Sequence, residues 1–569
     1  MPSRLALRAP WALMFTLLAS PAFGSWPVDG LGVCTASCPQ ALTSIVADGE
    51  GGFFVAWNDQ RDCSSYTIAY LQHVRGNGAP VPGWPAQGMP VCTTFSGQSG
   101  VVLACDGAGG VFAAWNDSRR GPTAVVVEHL ARDGSRLWDP AGVAVCESLA
   151  TNGSPGILAD GSGGLYVGWV DHRRGRDDGP PHHHPIFDLF LQHVNATGAW
   201  LWGPSGIAAV SISYINGAPL LAPAQGGVLV AWQDDLGPVR MQRFDGSGAR
   251  LLGADGVSIA GPFAGPFVGD GRGGLAGAFA LGPDGSRDAY AQRVDSTGAT
   301  RWGAGADLVS NASFDQRPSS VAADGAGGLF VAWYDLRNGH DWDVYAQHLD
   351  GAGVSTWTSG GVAACTAPNF QIYPQLVPDG LGGCVVTWYD VRDSSSGYDI
   401  FAQRLASDGS VAAGWPANGV ALCRANGDQA TPVLVGDGNG GAFVAWYDGR
   451  GDGDVYAQHV SAGGLVGADN GSSGVGPGPP VAFGLAQASS NPGGGEALVF
   501  ALSLPDGAPA ELSLLDAQGR EIATSRASMP GGGRITVTVG PGKALAPGIY
   551  IVRLRQGARL AWRKVAIVR

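Results

Sequence analysis

The sequence predicts an all-β chain: an eight-bladed β-propeller with four-stranded blades, followed by a small β-sandwich. Three observations carry this. A motif, Asp-Gly-x-Gly-Gly, an apolar stretch, then Trp-x-Asp-x-Arg, recurs along most of the 569 residues. Its aromatic anchors are Trp57, Trp115, Trp169, Trp232, Phe279, Trp333, Trp388 and Trp446, spaced by 58, 54, 63, 47, 54, 55 and 58 residues. That is the repeat length of propeller blades rather than of helical solenoids. Composition agrees: 92 Gly, 37 Pro and 18 Trp stand beside only 14% charged residues. Such a chain suits short strands and tight turns, whereas helices favour Ala, Leu, Glu and Lys.

In chain order, residues 1–24 read as a signal peptide. Arg4 and Arg8 precede an apolar run, Ala9 to Ala19, too short to span a bilayer, and Ala22 and Gly24 are small residues before a cut at Ser25. No later stretch is long enough for a spanning helix, so an exported chain without a transmembrane segment is expected. The net charge of -13 argues against nucleic acid as a partner.

Residues 25–465 hold the eight repeats. The full motif starts at Asp48, Asp106, Asp160, Asp324, Asp379 and Asp437, and two copies, Ala224 to Asp235 and the one from Asp270, are degraded. Strand one is short and apolar, as in Pro432 to Val435. Asp-Gly-x-Gly-Gly is a hairpin turn, because Gly supplies the positive φ such turns need. Strand two is the Phe-Val-Ala-Trp stretch. Strand three follows the Asp-x-Arg loop, as in Asp343 to Leu349 or Asp399 to Leu405, and strand four follows a Gly turn and a Trp, as in Gly419 to Cys423. The last copy lacks its fourth strand. The missing pattern stands instead at the mature N-terminus, Trp26-Pro27 and then Gly32-Val33-Cys34, so the N-terminal strand is expected to complete the last blade and close the ring. A seven-bladed ring that excludes one degraded copy is the alternative.

Residues 466–480 form a Gly, Ser and Pro linker. Residues 481–569 carry ten basic residues against five acidic, and their pattern of strands and turns fits a β-sandwich. Asn491-Pro492, Leu514 to Arg520, Leu545-Ala-Pro-Gly-Ile-Tyr-Ile-Val-Arg-Leu554 and Lys564 to Arg569 resemble C-terminal sorting domains of the type IX secretion system. They equally resemble the Ig-like domain of the flagellar hook-capping family. The resemblance implies an Ig-like fold, recognition by secretion machinery and passage across the outer membrane, often with cleavage of the tail. The repeats resemble uncharacterised bacterial propeller repeats, which implies no activity.

Nine cysteines leave at least one unpaired. Cys34, Cys92, Cys146, Cys365 and Cys423 share one repeat position and read as small buried residues, while Cys34–Cys38 or Cys38–Cys63 could pair.

Ligand-binding candidates are Arg61, Arg119, Arg173, Arg337, Arg392 and Arg450 of the Asp-x-Arg loops, with Asp234 and Asp235 at the gap where blades four and five lack the Arg. A ring of guanidinium groups suits carboxylate or sulfate. Repetition favours the alternative, in which each Arg locks its own blade's corner. The third position of Asp-Gly-x-Gly-Gly varies among Glu50, Ala108, Ser162, Arg272, Ala326, Leu381 and Asn439, which fits a turn and not a calcium loop. His182, His183 and His184 lie in an insertion, Arg176 to Pro185, and are the only metal candidates, though adjacent residues rarely converge on one ion. No catalytic residue and no cofactor is expected. The function expected is a secreted or surface-displayed, monomeric binding module for a glycan or cell-surface protein. A polysaccharide-acting enzyme, with carboxylates of blades three to five as acid and base, and a structural surface protein are the alternatives.

Overall fold

The computed structural model describes residues 26–467, apart from 64–65, 95–96, 120, 148–151, 178–184, 214, 235–237, 260–264, 304 and 394–396. Further on it describes 484–487, 498–504, 510–516, 518–527, 533–539, 545–546, 548–556 and 559–567. The signal peptide and the linker beyond Gly467 therefore lie outside the described residues. The chain divides into two units, Met1–Gly471 and Ser472–Arg569.

Apolar runs buried on both faces, such as Phe53–Asp59 and Leu329–Asp335, centre eight four-stranded antiparallel sheets in the first unit. Seven consist of four consecutive strands, for example Gln371–Pro378, Cys384–Asp390, Asp399–Leu405 and Val420–Cys423 in sheet seven. Both degraded copies form such sheets. Sheet eight contains Gln429–Gly436, Ala442–Asp448 and Asp454–Val460, and its fourth strand is Leu31–Cys34. Leu31 pairs with Ala457 and Cys34 with Val455. The first strands of successive sheets pack on one another, and that of sheet eight packs on Gln40–Ala47 of sheet one. This closed ring of sheets is a β-propeller, and no helix among the described residues is long and apolar enough to cross a membrane.

The core lies between neighbouring sheets. Phe54 and Leu71 of sheet one join Val101, Val111 and Trp115 of sheet two, and Val385 and Ile400 of sheet seven join Val444 and Trp446 of sheet eight. A second set of tryptophans staples sheet to sheet. The indoles of Trp84, Trp138, Trp202, Trp302, Trp357 and Trp415 donate to carbonyls of Arg132, Ala196, Gly246, Gly351, Ser407 and Ala462. Trp26 does the same to Gly76 at 3.0 Å, so the N-terminus supplies the staple from sheet eight to sheet one.

First strands are longer than the apolar stretch suggests. In sheet eight the strand starts at Gln429 rather than Pro432, because the buried Gln429 amide ties back to the carbonyls of Ala425 and Gly427. The insertion in sheet three extends a hairpin, Leu165–Asp177 against Pro185–Val194, with Asp177 paired to Pro185. His182, His183 and His184 lie outside the described residues.

The second unit holds a three-stranded sheet, in the order Gly484–Gln487, Leu498–Leu504, Gly533–Val539, and a four-stranded sheet, in the order Glu521–Ala527, Ala510–Leu515, Gly548–Gln556, Arg559–Ile567. Leu512, Leu514, Tyr550, Val552, Leu554 and Val565 are buried together.

Candidate functional site

Each second strand runs from the glycine turn at one end of its sheet to the Trp-x-Asp corner at the other. At the turn end, both oxygens of the Asp are engaged. Asp437 Oδ1 accepts from the amides of Asn439 and Gly441 at 2.7 and 2.9 Å, and Oδ2 lies 2.9 Å from His459 Nε2. His73, His129, His193 and His348 meet Asp48, Asp106, Asp160 and Asp324 in the same way, and Arg293 and Arg404 meet Asp270 and Asp379. Burial pushes the Asp48 carboxyl up, but the His73 hydrogen bond and the Glu50 and Gly52 amides hold it below the usual range. A carboxylate so occupied serves the turn, as its variable third position implies.

The opposite end carries the predicted arginines. In sheet seven the Trp388 indole donates to Asp390 Oδ2 at 2.8 Å. Arg392 donates its backbone N–H and Nε to Oδ1 at 2.9 and 2.8 Å, and Nη2 to Oδ2 at 2.6 Å. Its Nη2 also reaches the Asn418 carbonyl at 2.9 Å and Cys365 Sγ of sheet six at 3.1 Å, and its guanidinium lies 3.8 Å over the Phe401 ring. Arg61, Arg337 and Arg450 repeat this on Tyr70, Tyr345 and Tyr456, and Arg173 on Phe190. Arg119 pairs with Asp117 in the same geometry. Each Arg is a bidentate partner of its own Asp and ties it to its own sheet's fourth-strand loop. In sheet eight that loop is the N-terminal segment, where Arg450 reaches the Asp29 carbonyl at 2.6 Å. Asp234 ends its strand, with its backbone paired to Ile215, and Asp235 lies outside the described residues.

The five repeat cysteines are buried, as expected, and Cys34, Cys92, Cys365 and Cys423 stand beside these corners. Burial pushes the Cys34 thiol up to about 11 and those of Cys365 and Cys423 up to about 12. A thiol this hard to ionise is a poor nucleophile. Ser310 takes the cysteine's place beside Arg337. Of the two pairings left open, the structure forms Cys38–Cys63.

Sequence reasoning missed three groups. The first is the buried Gln40, Gln98, Gln316, Gln371 and Gln429, each six residues after the repeat Cys or Ser310, whose amides hold the loop carbonyls between sheets. The second is Asp343, buried opposite Asp335. Burial, then the charges of Asp335 and Asp341, push its carboxyl up to about 6. The third is the residue between Trp and Asp. It is Asn58 and Asn116 in sheets one and two and Tyr334, Tyr389 and Tyr447 in sheets six to eight. This position reaches the next sheet's first strand: Asn58 Oδ1 accepts from the Gly100 amide at 3.2 Å, and the Tyr389 hydroxyl accepts from the Thr431 amide.

No family model matches this chain, and no curated protein matches it. Among solved structures, a polysaccharide lyase described as an ulvan lyase aligns at 10% identity with a TM-score of 0.37, covering 68% of this chain and 96% of that one. A eukaryotic initiation factor aligns at 12% identity and TM-score 0.36, covering 70% and 92%. An α-L-arabinofuranosidase from Fusarium graminearum aligns at 12% identity and TM-score 0.29, covering 57% and 98%. Likeness of this degree carries no substrate or activity to this chain.

Proposed function

We propose that the chain is an exported recognition module: an eight-bladed propeller that binds a glycan or protein ligand on its corner-bearing face, joined to an Ig-like sorting domain that directs it to the outer cell surface. One observation carries the binding reading. The residues common to the repeats are consumed by the scaffold, while Tyr334 and Tyr389 replace Asn58 and Asn116 at the corner-bearing end of the sheets. Positions that differ from blade to blade on one face are where specificity resides, since function lives in sites carried by a fold. The Ig-like reading of the tail is supported by Tyr550, whose hydroxyl donates to the Ala546 carbonyl at 2.8 Å, the corner contact of such sandwiches.

Purified residues 25–465, applied to a broad glycan panel with mass spectrometry of every hit, should bind and release a glycan intact. A shortened glycan would favour the enzyme reading, with Asp343 as the first carboxyl to replace. Binding only to a protein would leave the module reading and discard the glycan. Deleting residues 481–569 should leave a folded propeller that stays in the periplasm. Normal surface display of that truncated chain, measured by protease accessibility on intact cells, would remove the sorting role.

A further inference from the structure

Five aromatic rings form a continuous row across sheets six and seven on the corner-bearing face. Trp342 meets Tyr334 with centroids 5.0 Å apart, Tyr334 meets Tyr373 at 5.6 Å, Tyr373 meets Tyr389 at 5.6 Å, and Tyr389 meets Tyr398 at 6.0 Å. We propose that this row is a binding site for an uncharged oligosaccharide, a proposal that rests on the recognition reading above.

The scaffold does not require these rings. Trp342 and Tyr398 occupy one register position, the last loop residue before the third strand, whose carbonyl accepts from the next sheet's first strand. Elsewhere that position is Thr67, Arg287 or Gly453. Tyr334 and Tyr389 occupy the position that is Asn58 and Asn116 in sheets one and two. Sheet eight has Tyr447 at the position of Tyr334 but Gly453 at that of Trp342, so both positions are aromatic together only in sheets six and seven.

Tyr373 is the strongest single observation. Its φ is 52°, in the left-handed region, at a first-strand bulge where sheets two and four have Gly100 and Gly217 at 63° and 83°, and sheets three and eight have Ser154 and Thr431 at 51° and 50°. The bend belongs to the fold, and glycine meets it without strain. A tyrosine there carries a backbone cost of about 1 kcal/mol. Burial does not offset that cost, because Tyr373 is 51% exposed. Ser154 and Thr431 share that strain; what sets Tyr373 apart is a large ring held half open to solvent, where it bridges Tyr334 and Tyr389.

The chemistry of the row selects the ligand. Tyrosine offers an apolar face and a hydroxyl on a stiff side chain, and so gives up little entropy on binding. Burial pushes the phenols of Tyr334 and Tyr389 up, so they remain neutral hydroxyls. Arg317 lies over Trp342 at 5.4 Å, but its charge is matched by Asp315 at 2.8 Å. Arg287 is matched by Asp284, and Arg424 by Asp393 and Asp399. A row with its cations already paired offers little to sulfate or uronate. A neutral sugar, with apolar C–H faces and a rim of hydroxyls, matches both parts of it.

The test is calorimetric titration of the mature chain, residues 25–569, with neutral hexasaccharides of β-1,4-glucan, β-1,4-mannan, β-1,3-glucan and β-1,4-xylan, and with an oligo-uronate and a sulfated oligosaccharide. At least one neutral hexasaccharide should bind, and Tyr373→Gly and Tyr398→Ala should each weaken it about tenfold. Tyr373→Gly relieves the left-handed strain, so its melting temperature should not fall, which separates lost binding from lost folding. A neutral sugar bound equally by both variants would overturn the site and leave the recognition reading standing. Binding confined to the anionic probes would overturn the ligand class. No saccharide binding, with a protein ligand captured instead, would overturn the saccharide while sparing recognition. A chain that binds neither would overturn both.

Discussion

Deleting residues 25–34 from the mature chain should lower its melting temperature by about 10 °C and make it prone to aggregate. The segment is not a loose end. Trp26 packs between Phe53 of sheet one and Phe443 of sheet eight, with centroids 6.3 and 6.0 Å away. Gln458 Nε2 donates to the Pro27 carbonyl at 2.8 Å, and Arg450 to the Asp29 carbonyl. The Arg424 amide donates to Asp29 Oδ1 at 2.9 Å. Trp26, Val33 and Cys34 are buried. At about 1.5–3 kcal/mol for each large apolar side chain, their loss costs roughly 5 kcal/mol before the hydrogen bonds are counted. Deletion also bares the edge of Asp454–Val460, a strand with apolar neighbours and no other partner on that side. Calorimetry of the truncated chain, with and without a synthetic peptide of residues 25–37, checks this. The peptide should restore most of the lost stability. An unchanged melting temperature would mean that the strand does not close the ring.

Much of this fold was legible because each blade repeats the same physical solution. Strand three is expected after the Asp-x-Arg loop, at Asp343 to Leu349, and the structure has it there. The transfer of the fourth strand to the N-terminus was legible because Trp26 and Val33-Cys34 carry the pattern that the last copy lacks. The Asp-x-Arg residues were visible as a set. Their repetition pointed to the corner-locking geometry that Arg392 and Asp390 adopt, whereas the further partners of Arg392, a carbonyl at Asn418 and a thiol at Cys365, were hidden because they are far away in sequence. The aromatic row was hidden for a related reason. Trp-Tyr-Asp reads as a minor variant of Trp-Asn-Asp until the fold sets Tyr334 against Tyr373, and no pattern of residues signals that Tyr373 lies at a left-handed bulge. The starts of first strands were misjudged because Gln429 is polar, and its burial follows from loop carbonyls that only the folded chain presents.

Glu128→Gln should stabilise the protein by about 2–3 kcal/mol at pH 8 and change little at pH 4. In seven sheets the equivalent buried residue is a glutamine, namely Gln72, Gln192, Gln242, Gln292, Gln347, Gln403 and Gln458. Their Nε2 groups donate to carbonyls of the turn before the fourth strand, such as Gly203 at 2.7 Å and Thr358 at 2.9 Å. Only sheet two has a carboxyl, Glu128, fully buried. Its Oε1 accepts from the His129 amide at 3.0 Å, as the glutamine carbonyls do, but its Oε2 accepts no hydrogen bond where the others donate. Burial pushes the carboxyl up to about 7, and Arg136, 3.9 Å away and itself bonded to the Pro90 and Val91 carbonyls, does not offset it. The native chain therefore keeps a proton on Glu128 up to about pH 7, whereas the unfolded chain releases it near the ordinary value of 4.5. Stability from this group is complete below that value, falls as pH rises from 4.5 to about 7, and is level above. Glutamine supplies the missing donor at every pH, so the gain over wild type should grow across that interval. Urea unfolding of both chains between pH 4 and 8 measures it, and the acid loss from the turn carboxylates cancels in the difference. A gain independent of pH would mean that packing rather than ionisation distinguishes the two side chains. A loss at pH 8 would mean that Glu128 is ionised and held by Arg136 after all.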